Sequence, residues 1–390
     1  MKLVWILLIL IAIGIAWLLG YRSRPQEKES RKIIIPRDYL TGLNFLLNEE
    51  TDKAVDIFIK MLEVDSDTVE THLAVGKLFR KRGEVDRAIR IHQNLIARPQ
   101  LEKIYREQSL FELGQDYLSA GMLDRAERVF LELISAKSHS ARALQMLIDI
   151  YQQEKDWENA IKVATQYETV TRQNMQGVIA HYYCELADIA YLKADFDLAR
   201  EHLGHAFAAD QSCVRASLLQ AKVCMGEQDY KSALRYLKKV KDQNPDYLSE
   251  AIDLLAICYE KMQQEDELLA YLKVLIEEHP KIPVVLILAE RIREWKGDKV
   301  AANFVADYVR RYPSLRGLHL FINLYIADVE GRAKEDLYIL QNLMKKILAN
   351  KPEYQCYSCG FSGKSLHWQC PGCKQWNTIL PIHGFEEGLV

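Results

Sequence analysis

Proline and glycine are scarce in this chain, 10 and 18 among 390 residues, so long structured segments dominate. Net charge is almost absent as well. The 51 Lys and Arg residues against 54 Asp and Glu leave −3, and the pI is about 6.4. That balance excludes a whole-chain nucleic-acid binder, which would be markedly basic. No Walker-type phosphate loop is present, because Gly360-Phe361-Ser362-Gly363-Lys364 has the wrong spacing. No His-Glu-x-x-His pair occurs. His202 and His205 share a helix face, as do His181 and Cys184, but such pairs usually sit on ordinary helix surface. The plentiful acidic residues read as solvated faces and i,i+4 partners of lysine and arginine. No catalytic constellation emerges, and the chain reads as non-enzymatic.

Long apolar runs are also missing, with one exception. Leu3 to Leu19 is unbroken and apolar and contains Trp5 and Trp17. As a helix it spans roughly 25 Å, near the lower limit for crossing a bilayer. No small-x-small cleavage site follows, which argues for an anchor over a signal peptide. Arg22, Arg24, Lys28, Arg31, Lys32 and Arg37 outweigh Lys2, so the positive-inside rule places the rest of the chain in the cytoplasm. Residues 1–20 are therefore expected to be a transmembrane anchor and residues 21–36 a charged linker with Pro25 and Pro36. The run Ile33-Ile34-Ile35 fits either a small docking strand or a membrane-surface contact.

From Pro36 to Pro352 a period is visible. A small residue is followed by another twelve positions on: Gly42 and Ala54, Gly76 and Ala88, Gly114 and Ala126, Ala187 and Ala199, Ala221 and Ala233, Ala289 and Ala301. Neighbouring units such as Gly42 and Gly76, or Ala187 and Ala221, are 34 apart. Two antiparallel helices that cross closely need small residues at the crossing, with bulky ones such as Phe79, Phe130 and Tyr259 beside it. Gly83 and Gly121 fall where a left-handed residue ends a first helix, and Pro245, Pro280 and Pro313 where a second one stops. Ile148 and Leu268 break the small-residue rule. The pattern predicts an all-α tetratricopeptide-repeat superhelix over 37–350. It has about eight units, some degenerate, and a terminal helical pair from Arg316 to Asn350. A repeat array of this kind is a scaffold with a concave face.

Cysteine occurs in two guises. Cys184, Cys213, Cys224 and Cys258 lie singly in helical stretches, as buried free thiols of a reducing compartment do. Cys356-Tyr357-Ser358-Cys359-Gly360 and Cys370-Pro371-Gly372-Cys373 are instead two Cys-x-x-Cys knuckles. Each aims two thiolates and nearby N–H groups at one point, so together they form a closed tetrahedral cage. With all four positions filled, the metal is structural or electron-transferring, not hydrolytic. Soft thiolates suit iron and zinc alike. Residues 351–390 are thus expected to be a rubredoxin-like metal module, with Trp368 and Trp376 forming an apolar shell and a seam to the last helices. Trp157 and Trp295 read as packing residues.

The order of these modules, with runs such as Gly42-x-Asn44-Phe45-Leu46-Leu47, Arg82-Gly83-Glu84-Val85-Asp86-Arg87-Ala88 and His181-x-Tyr183-Cys184-Glu185-Leu186-Ala187, resembles the lipopolysaccharide assembly protein B family of Gram-negative bacteria. The likeness covers essentially the full length. It departs from rubredoxins in having Lys374 where they have glycine, which puts redox cycling in question more than metal binding. What the resemblance implies is a non-enzymatic regulator at the inner membrane. It would present the deacetylase of the committed step of lipid A synthesis to a membrane-bound AAA+ metalloprotease, and gather other lipopolysaccharide synthesis or transport proteins. It also tilts the metal towards iron, with zinc as the alternative. Two other functions fit the residues: a membrane-tethered rubredoxin-like electron carrier, and a chaperone-like scaffold for other envelope machinery. If the first helix of each pair lines the groove, Lys77, Arg80, Arg215 and Lys222, with Tyr191, are expected to be exposed there and to favour an acidic or carboxylate-bearing partner segment.

Overall fold

One left-handed residue per helix pair reverses the chain, and its recurrence sets the architecture. In the computed structural model, which describes residues 37–47, 69–137 and 140–382 and the single positions 17, 53 and 57, φ is positive at Gly83, Gly121, Lys155, Ala194, Gln228, Gln263 and Gly297. Three of the seven are glycines. At Lys155, Ala194 and Gln228 the turn is secured by the next residue: Asp156, Asp195 and Asp229 cap the following helix, accepting the N–H of Asn159, Leu198 and Ser232 at 3.1, 3.1 and 3.0 Å.

The chain divides into two compact units, 1–129 and 130–390. In the first, α1 (Arg37–Leu47) precedes α2 (Val69–Lys81), α3 (Val85–Ile96) and α4 (Lys103–Ser119), with α5 (Leu123–Ser135) running across the boundary. In the second, α6 (Ser140–Glu154) pairs with α7 (Trp157–Thr171), α8 (Gln176–Leu192) with α9 (Phe196–Ala209), and α10 (Val214–Gly226) with α11 (Tyr230–Gln243). After a single 3-10 turn (Pro245–Tyr247) come α12 (Leu248–Lys261) with α13 (Glu265–Glu278), α14 (Ile282–Lys296) with α15 (Asp298–Arg311), and α16 (Leu315–Tyr325) with α17 (Arg332–Asn350).

The helix crossings are as tight as their small residues require. Ala88, Ala126, Ala160, Ala199, Ala221, Ala233, Ala289 and Ala301 are completely buried, at 0%. At Gly76 a Cβ would sit 2.4 Å from the His92 ring nitrogen Nε2, so α2 and α3 could not approach as they do with any other residue there. Leu268 occupies the corresponding place in α13 and is 1% exposed, so this crossing accepts a larger side chain.

The final segment is a three-stranded antiparallel sheet in the order β2-β1-β3, with β1 Tyr354–Cys356, β2 Ser362–Gly363 and β3 Ile379–Pro381. The apolar run 3–19 and the linker 21–36 fall outside the described residues, apart from the helical and exposed Trp17. Among the described residues no helix is long and apolar enough to cross a membrane.

Candidate metal centre and its seat on the repeats

The two knuckles repeat one backbone design fourteen residues apart. The N–H of Gly360 bonds the Cys356 carbonyl at 2.9 Å, and that of Lys374 bonds the Cys370 carbonyl at 2.9 Å. The N–H of Cys356 bonds the Phe361 carbonyl at 2.7 Å, and that of Cys370 bonds the Gln375 carbonyl at 2.8 Å. Gly360 and Lys374 close the turns with φ of 77° and 61°, so lysine takes the left-handed conformation that glycine takes in the first knuckle. Gly372 is a second requirement: a Cβ there would stand 3.3 Å from Cys359 Sγ.

These turns bring four sulfurs together. Cys356 and Cys373 Sγ are 3.8 Å apart, Cys359 and Cys370 3.6 Å, and all four lie within 4.8 Å of one another. Sulfurs held tetrahedrally at about 2.3 Å from a metal would stand roughly 3.8 Å apart. The donor set therefore fits a tetrathiolate metal. No other cluster of three or more metal-ligating side chains occurs among the described residues.

Cys356 and Cys370 are buried and Cys359 is exposed. Burial pushes the Cys356 thiol up, but its contact with Thr378 and the N–H groups of Cys359 and Ser358 outweigh this and hold it down at about 6. The Phe361 N–H favours the Cys359 thiolate, yet partial burial and its three sulfur neighbours push it up to about 11. The Gln375 N–H lowers Cys373. Such a split is what a negative cage does: the first thiolates to form resist the last until a cation neutralises them.

The module is seated on repeats far earlier in the chain. Gln152 at the end of α6 accepts at one amide oxygen from Trp376 Nε1 and Gln369 Nε2, both at 2.8 Å. The His181 ring lies between Trp376 and Trp368, with ring centroids at 5.2 and 5.9 Å. Trp376 also meets Tyr182 and Trp157 edge-on. Tyr247 packs on Trp368, and its hydroxyl lies 3.0 Å from both Asn377 Oδ1 and the Ile379 carbonyl. Tyr354 donates to Glu250 at 2.7 Å. The seam expected against the last helices thus runs instead to α6, the start of α7, α8 and the start of α12. Arg316 to Glu353, at 3.0 Å, is a link to α16. The physical reason is that two indoles next to a metal cage need both an apolar wall and an N–H acceptor, and the inner residues of α6 and α8 supply them.

His181 is buried, and its Nδ1 has no hydrogen-bond partner. Burial, with Arg215 adding to it against Asp210, lowers its pKa to about 3, so the imidazole is neutral in its aromatic slot. It does not join Cys184 in a site. Cys184 faces Cys213, with their sulfurs 4.0 Å apart in the core.

The expected exposed basic groove is corrected by the structure. Arg215 is buried, with Nη1 2.7 Å from Glu185 and Nη2 3.8 Å from Asp188. Arg80 is largely covered. It donates to Asp116 at 2.6 Å, to Glu112 at 2.7 Å and to Gln115 at 2.8 Å, while Asp116 also bonds the buried His92. Lys77 is half-exposed and paired with Glu112 at 3.0 Å. Glu112 is buried, which raises its pKa, but Arg80 and Lys77 more than compensate and keep it ionised. Helix spacing located these groups correctly on first helices. It could not show that acids of the preceding or the next first helix neutralise them. Lys222 is exposed, and Tyr191 is half-buried against Phe196.

Comparison with known proteins agrees with both parts. Residues 354–381 match the family model described as a rubredoxin metal binding domain, and residues 71–106, 111–178, 184–247 and 250–281 match tetratricopeptide repeat models. Lipopolysaccharide assembly protein B of Escherichia coli strain K12 is 38% identical over 381 residues, 97% of this chain and 98% of that one. The protein of the same name from Haemophilus influenzae is 35% identical over 392 residues, with the same coverage of 97% and 98%. Among solved structures, a crystal structure of MamA protein is 20% identical, covering 47% of this chain and 96% of that one, with a TM-score of 0.32.

Proposed function

Because the chain belongs to the lipopolysaccharide assembly protein B family, we propose that it is a non-enzymatic adaptor of lipopolysaccharide assembly, anchored in the inner membrane by residues 3–19 with its repeats in the cytoplasm. The observation that carries this reading is the full-length likeness to proteins of that name, repeats and four-cysteine module together. Within it, the repeats hold two clients of the same membrane layer: the deacetylase of lipid A synthesis and a membrane-bound AAA+ metalloprotease that degrades it. Tethering supplies effective concentration, which an adaptor needs more than tight contacts. Cys356, Cys359, Cys370 and Cys373 hold iron, or zinc in its place, as a structural centre that stiffens the module against its seat. Lys222, Tyr191 and the half-exposed Lys77 are the positions offered for partner contact.

Crosslinking in native membranes, followed by identification of partners, tests the reading. Recovery of the protease and the deacetylase is expected, together with slower deacetylase turnover when residues before Arg22 are deleted. An anchor-free chain with full regulation at normal expression would remove the tether argument. Unchanged deacetylase turnover, together with reversible bleaching of the metal form by a redox partner, would favour the electron carrier instead.

A further inference from the structure

The four sulfurs of the metal centre are not equivalent. Cys356 Sγ lies 3.3 Å from Thr378 Oγ1, and the two residues are only 1% and 4% exposed. Among the described residues Thr378 alone brings a side-chain hydroxyl to these sulfurs. Its other polar neighbour is the Gln375 carbonyl at 3.4 Å, and that carbonyl already accepts the Cys370 N–H at 2.8 Å. With the sulfur protonated, S–H donates to Oγ1 and the hydroxyl proton turns to Gln375. With the sulfur as a thiolate, the hydroxyl faces an anion, the stronger acceptor. One bond rotation brings the proton to sulfur, and Gln375 keeps its Cys370 partner.

The residue that carries this hydroxyl is held both from within the module and from outside it. Tyr357 N–H bonds the Thr378 carbonyl at 3.0 Å. On either side, Asn377 and Ile379 face the Tyr247 hydroxyl of the repeats, each at 3.0 Å. A residue 131 positions earlier in the sequence thus fixes where Thr378 stands.

We propose that Thr378 is a positioning residue of the metal centre: its hydroxyl donates to the Cys356 thiolate when a metal is held, and Tyr247 keeps it in place to do so. This rests on the reading that the four cysteines hold a metal. Loss of a partner that orients and polarises a ligand in this way typically costs about 10–100-fold in metal affinity. They also stabilise the sulfur lone pairs, which the optical spectrum of a bound metal reports.

The test is titration of the full-length chain with Co(II) against a competing chelator, recording the thiolate-to-cobalt charge-transfer band. Thr378→Val keeps the shape and removes the hydroxyl. It is expected to weaken Co(II) binding about tenfold and to move the band to lower energy. Thr378→Ser is expected to restore both, and Tyr247→Phe to move the band the same way by less. A Val variant within about twofold of the native affinity, with its band unmoved, would overturn the proposal, and so would a Ser variant as weak as Val. Absence of any charge-transfer band in the native chain would instead remove the metal reading itself. Should the Val variant not fold, native protein loaded with cadmium-113 decides. A through-bond coupling from metal to the Thr378 hydroxyl proton is expected, and its absence beside visible amide couplings would sink the idea.

Discussion

Arg80 shows how much a single residue's surroundings change its meaning. In sequence it is a basic residue on a first helix; in the fold its guanidinium is the counter-charge of two carboxylates, Glu112 and Asp116. Without Arg80, Glu112 keeps only Lys77 and Asp116 only His92, so the two buried carboxylates are under-compensated. Arg80→Ala is therefore expected to cost about 3 kcal/mol in urea unfolding, the low end for breaking a buried ion pair. Lys222→Glu, at an exposed position, is expected to change stability by no more than about 0.5 kcal/mol while altering partner capture. Equal unfolding midpoints for the two variants would contradict this. Lys374 makes the complementary point. The missing rubredoxin glycine does not alter the knuckle, because lysine adopts the left-handed turn itself.

At the level of elements, the repeat works by close helix crossing, and its tolerance differs from pair to pair. Gly76→Ala forces a Cβ into the fully buried His92 ring, which Asp116 holds on its other edge. Because the ring cannot retreat, overpacking is expected to cost about 1–3 kcal/mol, read as a lower melting temperature. The seat of the module is a second element-scale device, and it is sensitive to pH. In the docked state His181 is held neutral with a pKa of about 3; released to water, it returns towards the ordinary value of 6.5. The undocked state therefore binds the extra proton between these values. Docking is fully stable above pH 6.5 and weakens progressively as pH falls towards 3. At pH 5 the loss is about 2 kcal/mol. Hydrogen exchange across 354–381 is expected to speed up at pH 5 relative to pH 7.5, and His181→Phe to remove that difference. Equal protection at both pH values in the native chain would count against the neutral slot.

For the whole molecule, the metal module is the part least able to stand alone. Its strands are three, two and three residues long, and its small core consists of Cys356, Cys370 and Ile379 with a few partly buried neighbours. The repeats have cores of their own, such as that around Leu237, Leu255 and Leu272. Chelation of the metal is expected to leave helical circular dichroism nearly unchanged. Exchange protection should collapse across 354–381, and the fluorescence of Trp368 and Trp376 should shift as they leave His181 and Tyr247. Concerted loss of repeat helicity on chelation would show instead that module and repeats fold as one.

Much of this protein was legible in the chain. Small residues twelve apart define helix crossings, because sterics at a crossing depend on local size alone. Two Cys-x-x-Cys knuckles define a four-sulfur cage, because their geometry is built within a few residues. Even the left-handed turns at Lys155, Ala194 and Gln228 carry a local mark in the capping aspartate that follows. Contacts between distant residues were not legible. That Gln152, His181 and Tyr247 receive the module, that Glu112 and Asp116 silence Arg80, and that Thr378 meets Cys356 depend on which faces stack and how closely. Those are outcomes of burial and charge pairing across 22 to more than 200 residues of sequence, and only the tertiary structure decides them.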